Sequence, residues 1–125
     1  MSLTVLITDD DPSVSELLAF QLKRFDCVVH QVNNGPKAQA LASQVVLDIV
    51  FMDIMMPGQD GLVTCQNLRK QGYSGIITMI SALPADTNID RAIAAGADDY
   101  LQKPVSRDVL ANYIGEVTRK FASAN

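Results

Sequence analysis

Carboxylates crowded at one end of a protein can accept phosphoryl groups when a cation and a basic side chain balance their charge. This chain has Asp9, Asp10 and Asp11 in one run and Asp53 directly behind Ile49-Val50-Phe51-Met52. Ser81 follows Ile76-Ile77-Thr78-Met79-Ile80, and Lys103 follows Tyr100-Leu101. Two unit charges about 4 Å apart repel by about 4 kcal/mol at an effective dielectric of ~20, so such a cluster needs a counter-charge. A divalent cation held through oxygens supplies one, and Lys103 supplies more. Mg2+ suits this donor set, because it keeps several waters and takes one or two carboxylates plus phosphate oxygens. Asp11 has a simpler use: it precedes Pro12, where Asp caps a helix and Pro occupies its first turn. Asp9 and Asp10 then remain for the ion. Asp53 is the sharper case, since its backbone continues a buried strand, where charge is rare unless paired. It is expected to be a nucleophilic carboxylate that accepts a phosphoryl group, with Lys103 and the cation neutralising charge on the transferring oxygens. Simple pairing with Lys103 is the alternative.

These side chains converge only if the elements that carry them end at one rim. Thr4-Val5-Leu6-Ile7-Thr8 is apolar on both faces, as a buried parallel strand requires. Val14, Leu17, Leu18, Leu22 and Phe25 follow at helical spacing. Residues 27–32 read as a second strand, and Gly35-Pro36 opens a helix carrying Ala38, Leu41, Ala42 and Val45. Residues 49–52 form a third strand. Met56-Pro57-Gly58-Gln59-Asp60-Gly61 has turn chemistry, and a helix through Leu62, Cys65 and Leu68 ends at Gly72. A fourth strand covers residues 76–80. Pro84 begins an Ala-rich helix that stops at Gly96, Tyr100-Leu101 lies in a short fifth strand, and Ser106 caps a last helix through Phe121. Strict alternation predicts α/β architecture: a parallel sheet with helices on both faces, doubly wound. In that architecture the carboxyl ends of the strands form the functional rim, and four of the five deliver a polar or charged group there.

The 125 residues suit one domain spanning 1–125, and 48% hydrophobic with 19% charged residues is too apolar for a disordered chain. The net charge of −4 argues against direct nucleic-acid binding. No apolar run approaches the roughly 20 residues of a membrane span, and the N-terminus lacks the layout of a signal peptide, so a cytoplasmic protein without membrane contact is expected. Cys27 and Cys65 lack metal-ligand spacing and read as buried, reduced thiols. His30 reads as a structural strand residue. Met52, Met55, Met56 and Met79 read as packing residues. Ile89, Ala92 and Ile93 form a modest apolar stripe, either core or partner surface.

These residues together resemble the receiver domains of two-component response regulators. Val5-Leu6-Ile7-Thr8-Asp9-Asp10-Asp11-Pro12 is similar to the family's first strand and acidic pair. Residues 48–61 are similar to its phosphorylation motif, Ile80-Ser81-Ala82 to its hydroxyl position, and Gly96 to Pro104 to its switch aromatic and lysine. The resemblance covers nearly the whole chain, in order. It implies a flavodoxin-like three-layer sandwich with strand order 2-1-3-4-5. It also implies Asp53 as phospho-acceptor, and Mg2+ (with Mn2+ as substitute) bound by Asp10, Asp53 and the Met55 carbonyl, with Asp9 acting directly or through water. Lys103 would pair with Asp53 or the phosphate, and the Ser81 hydroxyl would bond a phosphate oxygen. Tyr100 would change rotamer as Ser81 moves, passing the state to the face of the fourth helix, fifth strand and fifth helix, where a homodimer could also form. The implied partners are a sensor histidine kinase or histidine phosphotransfer protein and a downstream protein or output domain. A cis peptide at Lys103-Pro104 is also implied. Thr8, Ser81 and Val105 depart from the commonest residues, and none removes a reactive group. The protein is expected to be a switch and not an enzyme, its chemistry being self-directed. A stand-alone regulator and the receiver part of a longer protein share this pattern.

Two other classes compete. A flavin or nucleotide binder of this architecture needs a Gly-, Ser- or Thr-rich loop after the first strand, where this chain has three aspartates. A pseudo-receiver that serves only as a binding scaffold need not keep the acidic cluster and lysine, and this chain has them all.

Overall fold

Runs buried on both faces and runs with one apolar stripe alternate along the chain, and each forms the element its pattern dictates. In the computed structural model, which describes residues 2–124, the order is β1 (Thr4–Thr8), α1 (Pro12–Lys23), β2 (Val28–Val32), α2 (Gly35–Ala42), β3 (Ile49–Met52), α3 (Gly61–Lys70), β4 (Ile76–Ser81), α4 (Ala85–Ala95), β5 (Asp99–Gln102) and α5 (Arg107–Ala124). The strands are parallel throughout, in the order β2-β1-β3-β4-β5. The order reverses between β1 and β3, so both faces of the sheet are covered and a crevice opens at the carboxyl ends of those two strands.

Strand side chains alternate between two cores. Val5, Ile7, Ile49, Phe51 and Ile80 pack with Leu18 and Leu22 of α1 and with Leu110, Ile114 and Val117 of α5. Leu6, Val50, Met52, Ile77 and Met79 pack with Ala38 of α2, Cys65 and Leu68 of α3, and Ala92 and Ala95 of α4. Burying one such aliphatic side chain contributes about 1.5–3 kcal/mol, so the two cores dominate stability. Tyr113 also ties α5 to the sheet: its hydroxyl donates to Asp99 (2.7 Å) and receives the hydroxyl of Thr78 (2.6 Å).

The helix starts follow their side chains. Asp11, Asn34, Asp60 and Ser106 each accept a backbone N–H from the first turn of α1, α2, α3 and α5, a contribution of about 1 kcal/mol each. Gly96, at φ 113°, ends α4. Some boundaries differ from the sequence pattern. β2 starts at Val28, because the Cys27 N–H turns back to the Leu22 carbonyl. β4 continues to Ser81, which registers with Gln102. Pro84 stands before α4 with no side-chain cap, and Gln102 instead accepts the Ala85 N–H at 3.0 Å. Met55 is 62% exposed, so it is a rim residue and not a packing one. The stripe on α4 divides: Ala92 is core, while Ile89 and Ile93 are exposed. The Lys103-Pro104 peptide is cis. No helix among the described residues is long and apolar enough to cross a membrane.

Candidate functional site

Ladder bonds extend the sheet by one residue and so fix where the reactive side chains begin. The Asp53 N–H bonds the Thr8 carbonyl at 2.9 Å, the Asp9 N–H bonds the Val32 carbonyl at 3.2 Å, and the Lys103 N–H bonds the Ser81 carbonyl at 2.7 Å. Asp9, Asp53 and Ser81 are buried, at 5%, 7% and 0% exposure, while Asp10 is exposed. Oxygens of Asp9, Asp10 and Asp53 all lie within 4.8 Å of one another. Lys103 closes the cluster: its Nζ lies 2.9 Å from Asp9 Oδ2 and 3.6 Å from Asp53 Oδ2. Lys103 thus pairs with Asp53, as the resemblance implied, but lies nearer to Asp9. Asp11 faces away, capping α1, and its N–H donates to Asp9 Oδ1 at 2.9 Å.

Electrostatics follow from this crowding. Burial raises the Asp53 carboxyl to about 6, and the Asp9 charge adds to it; Lys103 opposes the rise, Asp10 reinforces it, and hydrogen bonding from the Met55 backbone opposes it. Burial alone would lower the Lys103 ammonium, but its bonds and attractions to Asp9 and Asp53 outweigh that and hold it above its ordinary value. The cluster is therefore anionic and under-compensated, with three hard oxygen donors converging. That donor set fits a divalent cation such as Mg2+.

The loop from Ile54 to Asp60 is folded back on the site. The Gly61 N–H bonds the Ile54 carbonyl at 2.8 Å, and a Cβ on Gly61 would collide with the Asp53 carbonyl. Only glycine lets α3 start this close to the acidic strand end.

On the β4 side, the Ser81 hydroxyl accepts the Leu83 N–H at 3.2 Å and the Tyr100 hydroxyl donates to the Leu83 carbonyl at 2.7 Å. The two candidate switch side chains thus meet on one backbone residue. Sequence reasoning did not single out Leu83, and its side-chain type carries no signal for a role played by its N–H and C=O.

The fold recurs in known proteins. The BeF3-activated N-terminal receiver domain of RstA from Klebsiella pneumoniae is 32% identical, covers 93% of this chain and 98% of its own, and superposes with a TM-score of 0.85. The receiver domain of the Francisella response regulator 1452 is 28% identical over 96% of this chain and 99% of its own, with a TM-score of 0.88. The DNA-binding dual master transcriptional regulator RpaA of Synechocystis is 39% identical over 102 residues, 80% of this chain. The chain spans 42% of that relative's length. The family model for the response regulator receiver domain matches residues 5–115, and the chain belongs to that family of two-component response regulator receivers.

Proposed function

We propose that residues 1–125 act as one receiver unit that stores a phosphoryl group on Asp53 and switches a partner or output domain with it. The observation that carries this reading is the meeting of Asp9, Asp10, Asp53 and Lys103 at the strand ends. A scaffold would gain nothing from burying that repulsion. Asp9, Asp10, Asp53 and the Met55 carbonyl would hold Mg2+, or Mn2+ in its place. The bound cation supplies positive charge beside the transferring phosphoryl oxygens.

The donor is a phosphohistidine of a sensor kinase or histidine phosphotransfer protein. A carboxylate oxygen of Asp53 bonds to phosphorus as the P–N bond to the donor imidazole breaks, and the electron pair leaves with the ring nitrogen. Lys103 moves its contact from Asp9 toward the new phosphoryl oxygens, and the Ser81 O–H donates to one of them. Water later hydrolyses the acyl phosphate and returns Asp53 to its free carboxylate, so the mark is made and erased on this protein's own side chain. Tyr100 and Leu83 pass the state to α4, β5 and α5, where exposed Ile89 and Ile93 offer an apolar surface to a partner or a second copy. RpaA is a DNA-binding regulator, and this chain covers less than half of it; with its charge of −4, the chain acts on DNA only through another domain or protein.

The test is incubation with acetyl phosphate and Mg2+, read by intact mass. One phosphoryl adduct is expected, absent without divalent cation and absent in Asp53→Asn. An adduct that persists in Asp53→Asn overturns the assignment, and a folded wild-type protein that never labels favours the scaffold reading.

A further inference from the structure

Ile54 and Met56 are buried in the core on either side of Met55, whereas the stretch from Pro57 to Asp60 has little to hold it from within. The loop's internal bonds are short-range: Met56 N–H to the Ile54 carbonyl (3.1 Å) and Gln59 N–H to the Pro57 carbonyl (3.1 Å). Met55, Pro57 and Gly58 are exposed. The loop is fastened at Gln59, which is half-buried against α2 and α3. Gln59 Nε2 donates to Gln39 Oε1 at 2.7 Å and to Thr64 Oγ1 at 2.8 Å. Gln39 Oε1 also receives Asn67 Nδ2 at 3.2 Å, and Thr64 Oγ1 donates to the Asp60 carbonyl at 2.9 Å. Gly35, the first residue of α2, provides the clearance: a Cβ there would overlap both the Gln59 amide and the Thr64 hydroxyl.

We propose that Gln59 is a positioning residue for the acceptor site, its carboxamide clamping the Asp53–Asp60 segment to α2 and α3 so that Met55, whose carbonyl is the proposed backbone ligand, keeps its place beside the acidic cluster. This rests on the acceptor reading above. A segment held only by its own turn bonds opens locally at low cost, whereas one pinned to two packed helices opens only with them. The clamp touches neither the cation nor the phosphoryl group. It acts through backbone placement alone.

The experiment compares Gln59→Leu, Gln39→Leu, the pair and Gly35→Ala with the wild type. It reads amide hydrogen exchange at Met56, Gln59 and Gly61 in metal-free protein, and Mg2+ affinity by calorimetric titration. Gln39→Leu should speed exchange at those amides and weaken Mg2+ about five- to tenfold, the fold-change expected from one lost hydrogen bond, and Gln59→Leu, which loses two, at least as much, with the global melting temperature little changed. The pair should be no worse than Gln59→Leu alone, because Gln59→Leu already removes the one loop bond that Gln39→Leu removes. Gly35→Ala should loosen the same amides although alanine is the better helix former, which excludes loss of α2 as the cause. Unchanged exchange or unchanged Mg2+ affinity in Gln59→Leu, or additive effects in the pair, overturns the proposal. A wild-type protein that binds no Mg2+ removes the acceptor reading instead, and the exchange rates then decide on their own whether the clamp holds the loop.

Discussion

Asp53 carries an electrostatic cost that its surroundings make measurable. Burial first, and the Asp9 charge second, lift its carboxyl from 3.8 to about 6. A group whose folded value lies above its unfolded value stabilises the fold fully below the unfolded value, and that stability is lost as pH rises through the folded one. The metal-free protein therefore gives up stability between about pH 4 and about pH 6, by at most about 3 kcal/mol. Asp53→Asn removes the titration, so it should melt higher than the wild type at about pH 8 and lose that advantage toward about pH 3.5. Melting curves across that range without divalent cation check it; an Asn variant less stable at neutral pH contradicts the stored repulsion. Thr8 carries a cost of a different kind. It is almost fully buried, and its Oγ1 has no hydrogen-bond partner among the described residues. Thr8→Val keeps the β-branched shape and deletes the orphan hydroxyl, so it should stabilise by about 1 kcal/mol. A denaturant midpoint that rises with an unchanged slope is the expected reading, and a lower midpoint would show that the hydroxyl is satisfied in solution.

At the scale of elements, the start of α3 is the tightest joint near the site. Gly61 is buried against the Asp53 carbonyl, and its N–H bonds the Ile54 carbonyl. Gly61→Ala must push α3 away from β3 or displace Asp53. The expected outcome is a destabilisation of about 1–3 kcal/mol together with at least a tenfold slower labelling by acetyl phosphate. Stability and labelling both near wild type would mean that the helix yields without moving the acceptor. The same joint marks where sequence stops being legible. β1 and β3 are buried on both faces, and that continuous apolar signal located them and the acidic residues that follow. Asp11 and Ser106 announced their helices, because a cap is a local arrangement readable from neighbouring residues, while Asp60 read only as part of a turn and caps α3 as well. Leu83 and Gln59 announced nothing. Leu83 works through its main chain, and Gln59 bonds Gln39, 20 residues away, so neither residue type signals its role. The preference of Lys103 for Asp9 over Asp53 was equally hidden, being set by differences of less than an ångström at the meeting of three strands.

For the whole molecule, the proposed switch requires that a phosphoryl group on Asp53 change the state of α4. A covalent mark moves a two-state equilibrium only by the difference in its interactions with the two states, and a shift from 1:99 to 99:1 requires about 5.5 kcal/mol. One charge-assisted bond from Ser81 contributes about 1.5–3 kcal/mol, so it cannot drive so complete a switch alone. The Lys103 contact must add to it, or the resting state must already hold a sizeable active fraction. The shared anchor at Leu83 makes the path testable. Ser81 and Tyr100 both bond its backbone, so a Ser81 drawn toward a phosphoryl oxygen pulls on the residue that holds Tyr100. Beryllofluoride with Mg2+, as a phosphoryl mimic, should shift the amide resonances of Leu83 and Tyr100 and, beyond them, those of Ile89 and Ile93 on α4. In Tyr100→Phe the bond to the Leu83 carbonyl is gone while the acidic cluster is untouched. Labelling of Asp53 should then stay within about twofold of wild type, while the response of α4 shrinks, because the coupling and not the chemistry has been cut. If α4 responds as fully in Tyr100→Phe as in the wild type, the signal travels by packing between β4 and α4, and the Tyr100 hydroxyl has no part in the switch.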